Sequence, residues 1–203
     1  ATGFEVAFRI SSRPWVVVNG FSVTGASGGG IAIKSSSDHS VVANCIVFSN
    51  RGRGIWIRDS INVIVFNNLI YANADSGVDF GGESRGSAGG VGFGNTLFAN
   101  SRDGIRVEGL VPSPRVSVLQ NVIAGNFDNG INLKSRSANG FVGQWNLTTD
   151  PYGSDAEAGA FDLVGSPSLL APSGGDQILG RDGHWDDDFR LRQLAAGQTE
   201  QSA

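Results

Sequence analysis

Apolar and polar residues alternate in short bursts along this chain, and the bursts return at a nearly fixed interval. Ile31-Ala-Ile33-Lys, Ile55-Trp-Ile57-Arg, Val78-Asp-Phe80, Ile105-Arg-Val107-Glu and Ile131-Asn-Leu133-Lys each place branched or aromatic side chains on alternate positions. Period two predicts strands with one face buried. Each burst follows a glycine (Gly30, Gly54, Gly77, Gly104, Gly130), at steps of 24, 23, 27 and 26 residues. Four residues before the last four of these glycines stand Asn50, Asn73, Asn100 and Asn126. A second series, nine residues before each glycine, reads Phe21, Cys45, Asn68, Asn95 and Asn121, and Asn146 continues it. The position two residues further on is wholly apolar: Val23, Val47, Ile70, Leu97 and Ile123.

A period of this length with three short strands in it predicts a chain wound into coils, each stacked on the last so that equivalent strands pair in parallel. Like residues then fall into columns. A repeated asparagine can bond its amide to the coils on either side, and a repeated glycine suits a left-handed or crowded backbone. Helical spacing with caps is absent before the last forty residues or so.

Residues 15–148 therefore resemble the right-handed parallel β-helix of the pectate-lyase-like superfamily, through the motif Asn-x-apolar-x-x-Asn-x3-Gly-Ile. The resemblance implies an all-β fold of three parallel sheets in about five to six coils. It also implies that the Gly-Ile-x-Ile strand belongs to the sheet whose outer face carries the saccharide cleft in family enzymes. Residues 1–149 are expected to form the coils and 150–203 an irregular C-terminal segment. The chain enters mid-coil and its end resembles a truncated closing segment, so it is expected to be a piece of a larger protein or assembly. The segments 81–90 and 109–115 lengthen the bend after the Gly-Ile-x-Ile strand in two successive coils.

Composition narrows the partners. With 30 glycines among 203 residues, 17% charged residues and a formal charge of -4, nothing offers the basic field that nucleic acid requires. Cys45 is the only cysteine, which excludes an internal disulfide and a thiolate metal cluster. No apolar run is long enough for a transmembrane segment.

In-register stacking puts Ala32, Trp56, Asp79, Arg106 and Asn132 in one outward column, and Lys34, Arg58, Gly81, Glu108 and Lys134 in the next. An exposed indole among Lys34, Arg58, Asn132 and Lys134 suits a polysaccharide or cell-surface glycan, stacking on a pyranose while polar groups take hydroxyls or carboxylates. The plainer alternative is a solvated face on which Asp79 pairs with Arg106 and Glu108 with Lys134. Hydrolysis would draw on Asp79 and Glu108, whose Cα atoms strand spacing puts roughly 8 Å apart. Elimination would need a base, such as an arginine or lysine held near cationic neighbours, with Arg58 and Arg106 as the candidates. The Asn-Thr-Asp, Asp-Asp and Gly-His-Gly set of polygalacturonases and the Arg-x-Pro-x-x-Arg of pectate lyases are missing. No cofactor is required by these patterns. The acidic cluster Asp176, Asp182, Asp186, Asp187 and Asp188 is a candidate Ca2+ site without the EF-hand pattern.

Two functions fit the sequence. One is an extracellular, cell-surface or periplasmic module that engages polysaccharide, part of a lyase or hydrolase. The other is a non-catalytic stalk, adhesin or assembly component.

Overall fold

A computed structural model describes residues 6–81, 89–108, 116–134 and 141–153, together with the strand backbones Leu163–Val164, Leu169–Ala171 and Asp188–Leu191. It divides into two compact units, Ala1–Ser166 and Pro167–Ala203. In the second unit, Leu169–Ala171 pairs antiparallel with Asp188–Leu191. The first unit is a parallel β-helix of three sheets.

The front sheet holds the strands that follow the repeated glycine: Phe8–Ser11, Ile31–Lys34, Ile55–Arg58, Val78–Gly81, Ile105–Glu108 and Ile131–Lys134. The second sheet is built from Val17–Asn19, Val41–Ala43, Val63–Phe66, Gly90–Phe93, Val116–Leu119 and Val142–Gln144. Ser22–Thr24, Ile46–Phe48, Leu69–Tyr71, Thr96–Phe98, Val122–Ala124, Leu147–Thr148 and Leu163–Val164 form the third. All pairing within these three sheets is parallel and in register, Ile31 on Ile55, Val78 on Ile55 and Ile105. Each described strand residue of these sheets thus lies against its equivalent one coil away.

The core is a set of apolar files. Ile31, Ile55, Val78, Ile105 and Ile131 stack along the front sheet, facing Val47, Ile70, Leu97 and Ile123 of the third; all are essentially fully buried. Phe80 is the one aromatic residue in its file, and the second sheet makes room for it with Gly90 and Gly92 at inward positions. A Cβ built on Gly92 would lie 3.6 Å from the Phe80 ring, and one on Gly90 would lie 3.2 Å from it and only 2.1 Å from the backbone O of Val63. Those glycines serve packing, since a large side chain needs small partners to hold native density.

Both asparagine series form buried ladders. Asn73 Nδ2 donates to Asn100 Oδ1 at 3.0 Å and to Val47 O at 3.0 Å, while the Asn73 backbone N–H also donates to Asn100 Oδ1 at 3.2 Å. Asn68, Asn95, Asn121 and Asn146 repeat this one bend earlier. The ends are chemically apt. Cys45 begins its ladder by donating its backbone N–H to Asn68 Oδ1 at 2.9 Å while its thiol turns to Ala43 O at 3.1 Å, and Asp150 ends the other by accepting from Asn126 Nδ2 at 2.8 Å. Asn146 is 1% exposed, so its Asn-Leu-Thr acceptor pattern is inside the wall.

The repeated glycines are the crowded kind. A Cβ on Gly54 would approach Gly77 O to 2.6 Å and Ile70 Cγ2 to 2.7 Å. Left-handed backbone occurs instead just before the ladder asparagines, at Ser49, Ala72 and Ala99 (φ near 50°) and at Asn44 and Asn67.

Candidate functional site

The outer face of the front sheet carries the predicted columns. Register aligns Arg9, Ala32 and Trp56, then Trp56 with Asp79, Asp79 with Arg106, and Arg106 with Asn132. Lys34 aligns with Arg58, and Gly81, Glu108 and Lys134 align with one another. Trp56 and Asp79 therefore share one wall.

That wall is less open than alternation alone implies. Ala32 is buried between Arg9 and Trp56, and Asp79 is 2% exposed. The carboxylate of Asp79 is bound by Arg53 Nε, from the bend just before the neighbouring strand. Arg53 was not predicted; its signal is the position one residue before the repeated glycine, a column that reads Gly29, Arg53, Ser76, Asp103 and Asn129. In the same column Asp103 Oδ1 accepts from Asn129 Nδ2 and from Asn132 Nδ2, each at 2.9 Å. Asn132 is 4% exposed, with its amide committed to that contact. One position earlier, Arg102 lies 3.7 Å from Asp75 and 3.8 Å from Asp128, a file of alternating charge along the bend.

Trp56 is half-buried and ringed by cations. Lys34 Nζ sits 4.0 Å from the ring centroid, the guanidinium carbon of Arg53 4.7 Å and that of Arg58 5.7 Å. Its indole N–H donates to Gly81 O at 3.0 Å, which fixes the ring plane. Arg58 Nε also lies 3.3 Å from Asp59. Arg106 Nη2 binds Glu108 Oε2 at 2.5 Å. Each of the two proposed carboxylates, Asp79 and Glu108, is therefore held by an arginine.

A groove of about 590 Å3 opens beside Trp56, between the front sheet and the bend that precedes it. Among the described residues Arg9, Lys34, Arg51 and Arg53 line it with Asp75 as the lone acid, and Gly28, Gly29 and Gly52 keep its floor low. Among the described lining residues, four basic side chains against one acid are the opposite of the chain's formal charge of -4. Burial lowers the pKa of Lys34 from the usual lysine range, and the neighbouring charges of Arg9, Arg58 and Arg53 lower it further. Burial raises the Asp79 pKa to about 6 despite the opposing pull of Arg53 and Arg106. Of the predicted residues, Lys34 and Trp56 line the groove; Asn132 and Lys134 do not.

No group of three or more metal-ligating side chains occurs among the described residues. The proposed Ca2+ set lies outside them at Asp176, Asp182, Asp186 and Asp187, and Asp188 is described as strand backbone only. No helix among the described residues is long and apolar enough to cross a membrane.

Three stacked sheets, two amide ladders and a sheet face with a side groove define a right-handed β-helix. The chain belongs to that family: residues 5–146 match the family described as right handed beta helix region. Among solved structures it is similar to the periplasmic alginate epimerase AlgG, at 15% identity and a TM-score of 0.50, over 78% of this chain and 40% of that one. It is also similar to the pectate lyase Pel9A, at 14% identity and a TM-score of 0.55, over 94% of this chain and 67% of the other. The A-module of the Azotobacter vinelandii mannuronan C-5 epimerase AlgE4 matches at 14% identity with a TM-score of 0.41, over 79% of this chain and 58% of that one. The chain thus spans 40% of the length of AlgG and 67% of Pel9A. A search of curated proteins finds no match.

Proposed function

We propose that this chain is a polysaccharide-engaging β-helix module that takes an acidic glycan in the groove beside Trp56. The observation that carries the reading is the cationic lining: Arg9, Lys34, Arg51 and Arg53 surround a half-buried indole on a chain whose formal charge is -4. Concave walls of one charge sign focus the field and concentrate ligands of the opposite sign. Guanidinium groups suit carboxylates through paired N–H donors, and a uronate supplies one carboxylate per sugar. The shared fold with a pectate lyase and an alginate epimerase supports the same ligand class. Such a glycan is met in the periplasm or outside the cell, so the reading carries export of the protein with it.

The chemistry this geometry suits is β-elimination, in which a base takes the proton next to the uronate carboxylate, the glycosidic C4–O bond breaks to leave a double bond in the sugar, and the departing oxygen takes up a proton. Hydrolysis is disfavoured, because it needs an acid and a base that face each other across the sugar, and Asp79 and Glu108 are engaged by Arg53 and Arg106. Lys34 is the better base. Burial and its cationic neighbours lower its pKa, so part of the population of this otherwise charged side chain is free amine able to take a proton, and Arg9 and Arg53 stand where the substrate carboxylate would be neutralised. A glycan array followed by ultraviolet absorbance of unsaturated uronate tests both steps. Binding to acidic glycans, with absorbance growth lost in Lys34→Ala, supports the reading; preference for neutral glycans defeats it.

A rigid stalk is the second reading. The continuous ladders Asn50-Asn73-Asn100-Asn126 and Asn68-Asn95-Asn121-Asn146 favour it, because they stiffen the molecule without reference to any ligand. Silence on every glycan selects it.

A further inference from the structure

We propose that Asp79 is the positioning residue of the groove and an acid-sensitive latch: as a carboxylate it holds Arg53 by Nε, and on taking up a proton it releases that guanidinium to an anionic ligand. The inference rests on the acidic-glycan reading above for its ligand, and on local geometry for the latch itself.

Arg53 belongs to two places at once. Its side chain lines the groove and lies 4.7 Å from the Trp56 centroid, while its Nε is bound to Asp79 below. Its second acidic neighbour, Asp75, is 3.8 Å from Nη1 and is itself shared with Arg102 at 3.7 Å. Of its two acidic neighbours, Asp79 is the nearer.

Asp79 is unusually placed for an ion. It is 2% exposed, and its Oδ1 is buried with no hydrogen-bond partner, packed towards Gly81, where an added Cβ would come within 3.1 Å of it. A buried carboxylate with one bare oxygen, hydrogen-bonded by Arg53 and attracted by Arg106, is only partly compensated for its burial, which makes the neutral acid accessible in mildly acidic water. The charged groups around it are Arg53 from the preceding bend, Asp75 from its own bend, Arg58 on one neighbouring strand, and Arg106 and Glu108 on the other. Burial outweighs this mixed surrounding and brings the pKa to about 6. The histidine among the described residues, His39, stacks on Trp15 at a different bend, and Lys34, the groove residue whose pKa burial lowers, is told apart by Asp79→Asn, which leaves it in place.

Protonation removes one negative charge beside the groove. Ligand uronates, with an ordinary carboxyl pKa near 3.5, stay ionised through the same interval. Affinity for a polygalacturonate oligomer is expected to rise about tenfold between about pH 7.5 and about pH 5 at constant salt. Asp79→Asn should bind at the higher pH about as tightly as the native chain does at the lower, with its pH dependence flattened.

The test combines calorimetric titration of the oligomer at both pH values with NMR of the Arg53 Nε–Hε signal and the Asp79 side-chain carboxyl carbon. The latch predicts that both resonances titrate together near pH 6 in the native chain, and that the Arg53 signal stands still in Asp79→Asn. An Arg53 signal that is flat, or that moves equally in Asp79→Asn, overturns it. Titrating resonances with pH-independent binding overturn the coupling to ligand. Absence of oligomer binding at either pH defeats the acidic-glycan reading, while the two resonances still decide the latch.

Discussion

Lys34 Nζ lies 4.0 Å from the centroid of the Trp56 ring, so the indole is a cation-bearing post as well as a surface for stacking. Arg53 and Arg58 approach the same ring. Trp56→Ala should therefore weaken acidic-glycan binding about tenfold by scattering these cations, since one such contact contributes roughly 0.5–2 kcal/mol. Trp56→Phe should recover part of the loss, because it keeps a ring but not the bond from the indole N–H to Gly81 O. Calorimetric titration of the two variants checks this.

The asparagine ladder is expected to respond far more strongly than any surface pair. Asn73 is fully buried and its Oδ1 accepts from both the backbone and side-chain nitrogens of Asn50. Asn73→Ala strips those two donors and leaves Asn100 Oδ1 short of one. The cost should be about 2–4 kcal/mol, seen as a lower urea midpoint with little change in slope. Asn73→Asp should be at least as harmful, because a carboxylate there would face Asn100 Oδ1 with no proton to donate. Asp150 tolerates a carboxylate because it ends the ladder.

Gly54→Ala tests the crowding of the repeated glycine. Its Cβ would meet backbone Gly77 O at 2.6 Å, which cannot move without shifting the next coil. A loss of roughly 1–3 kcal/mol is expected, measured by thermal melting. Gly94→Ala is the control. Its Cβ would have open space, so the smaller penalty it shows should come from a left-handed backbone alone.

Asp79 gives stability an inverted pH dependence. Its pKa lies at about 6 in the folded chain against an ordinary 3.8, so the folded state binds more protons than the unfolded state between those values. The contribution is fully present below about pH 3.8 and is lost as pH rises through about 6. Two pKa units correspond to something on the order of 3 kcal/mol. Asp79→Asn should therefore raise the melting temperature at pH above about 7, with an advantage that shrinks towards pH 4.

Much of this is legible in the sequence, for a physical reason. Parallel in-register stacking makes each residue its own neighbour's equivalent, so the sequence interval reads directly as a spatial column. That is how Trp56, Asp79, Arg106 and Asn132 fall on one wall and how Asn73 meets Asn100. Depth was not legible. Alternation assigns Asp79 and Asn132 to the outer face, but it cannot say that Arg53 and Asp103, from the adjoining bend, engage them there. The groove was missed for the same reason: its cations Arg51 and Arg53 sit on a bend, and its Arg9 lies in the first coil, where the glycine repeat has not begun. The acidic stretch from Asp176 to Asp187 lies outside the described residues.

The central claim is that an anionic glycan occupies the groove beside Trp56, and amide chemical shifts on titration with a polygalacturonate oligomer test it most directly. The account predicts perturbations gathered at Gly28, Lys34, Arg51, Arg53, Trp56 and Asp75 that fade as salt is raised. Unmoved amides there, or perturbations centred on the outer face of the second sheet around Val17, Ile64 and Val142, would contradict it.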